Sequence, residues 1–176
     1  SSLIPAQVPP ELPADLAFLK EVTADEAQLV KAMRDFDVKQ TQTASQELDE
    51  VGYLKSIEQP EQAQLKMSQA QQRLAHVRTG YEYVLAHYRS NALAHTYYGE
   101  LLYDYFGAHD GALRAWQLAN SLDPKLGRPL NNLGLHYCHI GMYEQGLEAL
   151  DTALELEPKN PDYLFNVTQI YLVHFP

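Results

Sequence analysis

His136 and His139 stand three residues apart with Cys138 between them. On a helix that spacing sets two imidazoles on one face, where two ring nitrogens can share a metal ion. A metal site needs three or four ligands, and no Asp, Glu or further Cys is spaced to complete this one. The pair therefore reads as one packed and one outward-facing histidine, and Cys138 as a buried, inert thiol. Twelve tyrosines, clustered at Tyr97-Tyr98 and Tyr103-Asp104-Tyr105, have the faces to stack on a flat cofactor, but their steps equally suit helix packing. Gly107-Ala108-His109-Asp110-Gly111 has the glycines of a phosphate loop. It lacks a following Lys-Ser/Thr and joins helix to helix, so it reads as a turn. No catalytic residue, no metal and no cofactor is expected.

The elements that carry these residues are read from Gly127–Asn160, GRPLNNLGLHYCHIGMYEQGLEALDTALELEPKN. Leu130, Leu133 and Tyr137 share one face of a first helix, and Gly134 leaves room for a second helix to approach. Gly141 suits the positive φ of a helix end. Gly146, Leu150 and Ala153 form a small–large–small stripe on the second helix, which Pro158 stops. This stretch resembles the tetratricopeptide (TPR) repeat, whose period is 34 residues. A preceding unit, Leu93–Leu126, matches it at Tyr103, Gly107, Ala112, Trp116, Ala119 and Pro124. It departs at Gly99-Glu100, where the family has Leu then Gly, which implies a one-residue slip in the first helix or a changed packing angle. A third unit opens at Pro161 with Leu164, Val167, Thr168 and Tyr171, and the sequence stops before its second helix.

The resemblance implies a stack of helix pairs whose first helices line a concave groove that holds another protein or peptide segment. Carried over position by position, the groove contacts fall on Tyr97, Leu101, Asp104 and Tyr105 in the first unit. They fall on Arg128, Asn131, Asn132, Leu135 and His139 in the second, and on Phe165, Asn166 and Gln169 in the third. Aromatic rings and side-chain amides suit a peptide ligand. Some relatives in this family clamp a C-terminal carboxylate with several Lys or Arg and two Asn. Only Arg128 and Asn132 match that set, and Asp104 and Asp162 carry the opposing charge, so a neutral or mildly basic segment is expected instead.

The first half of the chain reads differently. Pro5, Pro9, Pro10 and Pro13 make an extended strap over Ser1–Pro13, and a short helix carries Leu16, Phe18 and Leu19. Thr23-Ala24-Asp25-Glu26 has the form of a capping box. A first long arm follows with Val30, Met33, Asp37, Gln40, Ala44, Leu48, Val51 and Leu54 in its seam, polar at two positions. After a turn near Ser56–Pro60, a return arm carries Ala63, Met67, Ala70, Leu74, Val77, Tyr81, Val84 and Tyr88 at steps of four and three. A break of the first arm over Val38–Ser45 is the alternative, and the Gln-rich middle of both arms is expected to project from the body.

The fold class is therefore all-α: a Pro-rich strap and short helix over residues 1–22, an antiparallel helical hairpin over 23–90, and a TPR-like solenoid of two and a half units over 91–176. A net charge of −10 opposes nucleic-acid binding, which needs a basic stripe. No apolar run approaches the ~20 residues of a membrane span. A single cysteine excludes an intrachain disulfide. The compartment stays open between cytoplasm and bacterial periplasm, with the Pro-rich start leaning to export. The abrupt finish at Phe175-Pro176 after an apolar last helix suggests an array that continues; the alternative function is structural self-assembly, a homo-oligomer formed through the hairpin or the open end of the last unit.

Overall fold

The computed structural model describes residues 8–174, and within them every regular element is helical. The early part of the strap, with Pro5, and the Phe175-Pro176 finish lie outside the described residues. The chain divides into two compact units, Ser1–Arg89 and Ser90–Pro176.

The first unit is built on two long helices, α2 (Glu26–Ser56) and α3 (Pro60–His87), preceded by a 3-10 turn at Ala14–Leu16 and the short α1 (Leu19–Val22). Helix α2 runs without a break through residues 38–45, and Pro60 occupies the first turn of α3, where its missing N–H costs nothing. The seam is apolar at Leu29, Val30, Met33, Ala44 and Val51, facing Ala63, Ala70, Leu74, Val77 and Val84. Gly80 permits close contact with Met33, because a Cβ there would strike the Met33 thioether.

Two polar layers interrupt this seam. Asp37 is buried and accepts hydrogen bonds from Tyr81 Oη at 2.5 Å and from Arg34 at 2.7 Å. Burial and the Asp37 carboxylate together push the Tyr81 phenol far above its usual range, so it stays a donor. Glu47, also buried, takes Arg73 Nε on both oxygens at 3.1 Å, while Arg73 reaches Gln40 at 2.9 Å. Layers of this kind fix register, since sliding one helix by a turn would strand a buried charge.

The capping box expected at Thr23 and Glu26 is corrected. Asp25 caps α2, accepting from Gln28 N at 3.0 Å. Thr23 ends α1 instead: its hydroxyl donates to Leu19 O at 2.7 Å and lies 2.8 Å from Tyr83 Oη, and its carbonyl accepts from Tyr88 Oη. The sequence pattern alone could not show that the preceding turn of helix has first use of that hydroxyl.

The second unit stacks helix pairs. Helices α4 (Ala92–Phe106) and α5 (His109–Leu122) form one pair, α6 (Gly127–His139) and α7 (Tyr143–Leu156) the next, and α8 (Pro161–His174) packs on α6 and α7. Asn91 caps α4 through Ala94 N at 2.8 Å. Gly107 and Gly141 take φ of 60° and 84° at the ends of the two first helices, which L side chains resist. Gly134 and Gly146 allow α6 and α7 to touch: a Cβ on Gly134 would lie 2.7 Å from Leu150 Cγ and 2.8 Å from Gly146 O.

The Gly99-Glu100 departure is a one-residue slip. Gly99 meets Trp116 as Gly134 meets Leu150, an offset of 35 residues on the first helix against 34 on the second. The extra residue is absorbed before Gly107, where Gly107 N–H and Ala108 N–H both close on Leu102 O, the latter at 3.0 Å and six residues away.

Candidate functional site

The first helices of this unit, α4 and α6, meet along one side, and a cleft of about 630 Å³ opens there. Helix α4 supplies Glu100, Tyr103 and Asp104, α5 supplies His109 and Trp116, and α6 supplies Arg128, Asn132, Leu135, His136 and His139. The wall is aromatic. Tyr103 stacks on His109 at 4.4 Å between centroids, tilts against Trp116 at 5.3 Å, and stands perpendicular to His136 at 5.7 Å. Tyr103 Oη and His136 Nδ1 lie 3.2 Å apart, and Trp116 Nε1 donates inward to Thr96 O. Burial, then the neighbouring His109 and His139, lowers the pKa of His136 below the ordinary imidazole value.

The other wall is ionic. Arg128 donates from Nε and Nη2 to the two oxygens of Glu100, at 2.5 and 3.0 Å, and Asn132 donates to the same carboxylate at 3.0 Å. The Arg128 guanidinium also lies 5.2 Å from the centre of the Tyr97 ring. One step further along the stack, Asn166 of α8 donates to Asn131 Oδ1 at 3.0 Å. Polar side chains thus tie α4 to α6 and α6 to α8.

Of the residues expected to line the groove, Asp104, Arg128, Asn132, Leu135 and His139 come together in the cleft. Leu101 and Asn131 do not offer surface: they are 2% and 7% exposed. For Leu101 the reason is the slip, since at the local offset of 35 the counterpart of Leu135 is Glu100. Asn131 is covered by α8 through its bond with Asn166. Tyr97 lies half-buried beside Arg128, and Tyr105 is half-buried outside the cleft lining. Phe165 and Gln169 are exposed on α8, away from the cleft, and Asn166 is spent on Asn131.

Glu100, Tyr103, His109, Trp116 and His136 belong to the cleft but not to the expected set. The signal for Glu100 was the same slip, visible at Gly99-Glu100. His109 enters because α5 begins there, directly after the Gly107 turn. Cys138 faces away, buried against Gly146, and burial raises its pKa, which keeps the thiol protonated and unreactive. Among the described residues no group of three or more His, Cys, Asp or Glu is placed to hold a metal ion. A second hollow, about 560 Å³, lies at the Gly141–Gln145 turn beside His174, whose ring stacks on Tyr143. It draws on one turn and one helix end rather than on successive repeats.

No described helix is long and apolar enough to cross a membrane. No protein-family model matches the sequence. No curated protein matches it either. Among solved structures the chain is similar to the crystal structure of MamA, at 20% identity and a TM-score of 0.45, over 80% of this chain and 93% of that one.

Proposed function

We propose that this chain is a non-catalytic scaffold that holds a segment of another polypeptide in the cleft between its first helices. The observation that carries the reading is the lining itself: side chains from two successive repeats converge on one cleft of about 630 Å³, with aromatic rings on one side and amide and ionic groups on the other. Such a surface gives a segment apolar contact area together with fixed hydrogen-bonding groups.

The test compares two surface arginines. Leu135→Arg puts a long cationic side chain on the cleft lining, while Gln117→Arg alters an exposed position of α5 outside it. Partners recovered by the wild type should be lost with the first and kept with the second. Equal recovery with both variants would remove the cleft from the argument.

Helix α8 favours a second reading, self-association. Leu164, Phe165, Leu172 and Val173 are each more than half exposed along it. Sedimentation across a wide concentration range, with Leu172→Lys as the control, distinguishes a dimer through this face from a monomer.

A further inference from the structure

Helix α8 has a packed side and an open one. Val167 and Ile170 join the cluster of Cys138 and Leu150, and Tyr163 lies over Gly127. Leu164, Phe165, Thr168, Tyr171 and Leu172 recur at steps that share another side of the helix, and all five are exposed. Tyr171 marks where this stripe meets α7, since its hydroxyl donates to Asp151 Oδ2 at 3.3 Å.

Asp151 belongs to an acidic row. Glu144, Glu148, Asp151 and Glu155 stand at steps of four, three and four along α7, so their carboxylates share one side of that helix. Asp151 is engaged by Tyr171. The other three are exposed, and among the described residues their carboxylates make no ion pair or hydrogen bond. Residues 140–174 carry six Asp and Glu against one Lys or Arg, Lys159. The apolar stripe of α8 is therefore bordered on its α7 side by negative charge that the chain itself does not answer.

An exposed apolar helix face beside such a row suits an amphipathic helix, whose apolar side chains cover α8 while its lysines or arginines answer α7. The stripe from Leu164 to Leu172 is about 12 Å long and the row from Glu144 to Glu155 about 16 Å, so a partner of about three turns spans both. We propose that this face takes a basic amphipathic helix of another protein, in a contact separate from the cleft. A second copy of this chain would compete for the same stripe. It brings a second acidic row, however, and within residues 140–174 only Lys159 to meet the first. Like charges brought together across an interface oppose association, whereas a cationic partner is steered to the row and held there.

The test uses three labelled helical peptides of about 18 residues that share one leucine face and differ only in carrying Lys, Gln or Glu beside it. Fluorescence anisotropy at low and high salt follows their binding to the wild type, to Leu172→Gln and to Glu144→Gln/Glu148→Gln/Glu155→Gln. Glu11→Gln/Glu21→Gln/Glu61→Gln removes equal charge from exposed positions of the first unit, and Leu135→Arg blocks the cleft. Melting curves by circular dichroism check each variant, and Phe165→Gln replaces Leu172→Gln if that one melts early. The Lys peptide should bind the wild type about tenfold more tightly than the Gln peptide, the preference that three exposed ion pairs supply, and the Glu peptide should bind least. That preference should vanish in the α7 variant and in high salt, and persist in the first-unit variant and in Leu135→Arg. Leu172→Gln should weaken all binding. Equal binding of the Lys and Gln peptides, a preference that survives the α7 variant, or no binding by any peptide overturns the proposal. So does a concentration-dependent dimer that excludes the peptides and that Leu172→Gln dissolves, since a second copy then covers the face. Loss of the peptides with Leu135→Arg places them in the cleft, which overturns this contact and leaves the cleft reading standing.

Discussion

Gly134→Ala tests the packing that shapes the cleft. The new Cβ would lie 2.7 Å from Leu150 Cγ, 3.1 Å from Leu150 Cδ2 and 2.8 Å from Gly146 O. Leu150 is wholly buried and the third atom is backbone, so no flexible end can move aside. Overpacking of this kind costs about 1–3 kcal/mol. Replacing glycine by alanine inside a helix returns about 1 kcal/mol, leaving a net loss of about 1–2 kcal/mol at the upper part of that range. Gly111→Ala is the control in the same unit: its Cβ would sit 3.4 Å from Leu102 Cδ1, an ordinary contact, so the change should be neutral or slightly stabilising. Urea unfolding followed by circular dichroism measures both, reading midpoints at constant slope. Because Gly134 lies on the helix that carries Arg128, Leu135, His136 and His139, relief of the clash by tilting α6 should also weaken capture by the cleft. If Gly134→Ala unfolds no earlier than Gly111→Ala, α6 and α7 do not pack at this distance and the account of the repeat is wrong.

Three further outcomes follow from the same geometry. Arg128→Ala strips both guanidinium hydrogen bonds from Glu100, whose side chain is only 16% exposed, and keeps the Asn132 bond at 3.0 Å; a loss of about 1–3 kcal/mol is expected, largely recovered by Glu100→Ala in the same chain, as a double-mutant cycle would show. His136 has a folded-state pKa below the ordinary value, so it contributes stability above about pH 6.5 that is lost as pH falls through its folded value; NMR titration should give it a low midpoint, which His109→Gln raises. Tyr163 is pushed up to about 12 by burial and then by Glu157, whose carboxylate accepts its hydroxyl at 3.3 Å; its contribution holds below about pH 10 and disappears as pH rises through 12, so unfolding free energy at alkaline pH should fall less steeply in Tyr163→Phe.

The helix pairs were legible because their signals are local. Gly107 and Gly141 mark positive φ, Pro60 and Pro161 open helices, and the Leu133, Gly134, Gly146 and Leu150 pattern states which faces must touch. The polar layers of α2 and α3 were half legible. Asp37 and Gln40 showed as breaks in an apolar seam, whereas the burial of Glu47 depends on Arg73 from another helix, 26 residues away. The cleft was less legible than the fold, and for a definable reason. Position-by-position transfer assumes a constant period, and α4 carries one extra residue. Beyond Gly99 the transfer therefore landed on Leu101, an interior residue, and passed over Glu100. Asn131 failed differently: its place faces the groove only until the next repeat's Asn166 reaches it.

That failure bears on what kind of surface the proposed binding cleft is. An amide buried between two helices contributes nothing to a guest directly, but it fixes the guest's wall. Glu100 to Arg128 and Asn132, and Asn131 to Asn166, hold three successive first helices at set distances by short hydrogen bonds rather than by apolar contact alone. Apolar packing tolerates sliding, whereas a bidentate carboxylate–guanidinium pair tolerates little. On the proposed reading the cleft should therefore be nearly the same shape empty and occupied, and a segment that fits it would bind without ordering the protein first. On that basis a substitution in the inner row, such as Asn166→Ala, should weaken capture while leaving every lining side chain in place. Its effect should fall on the temperature dependence of binding as well as on affinity, since the wall must then be ordered at each encounter.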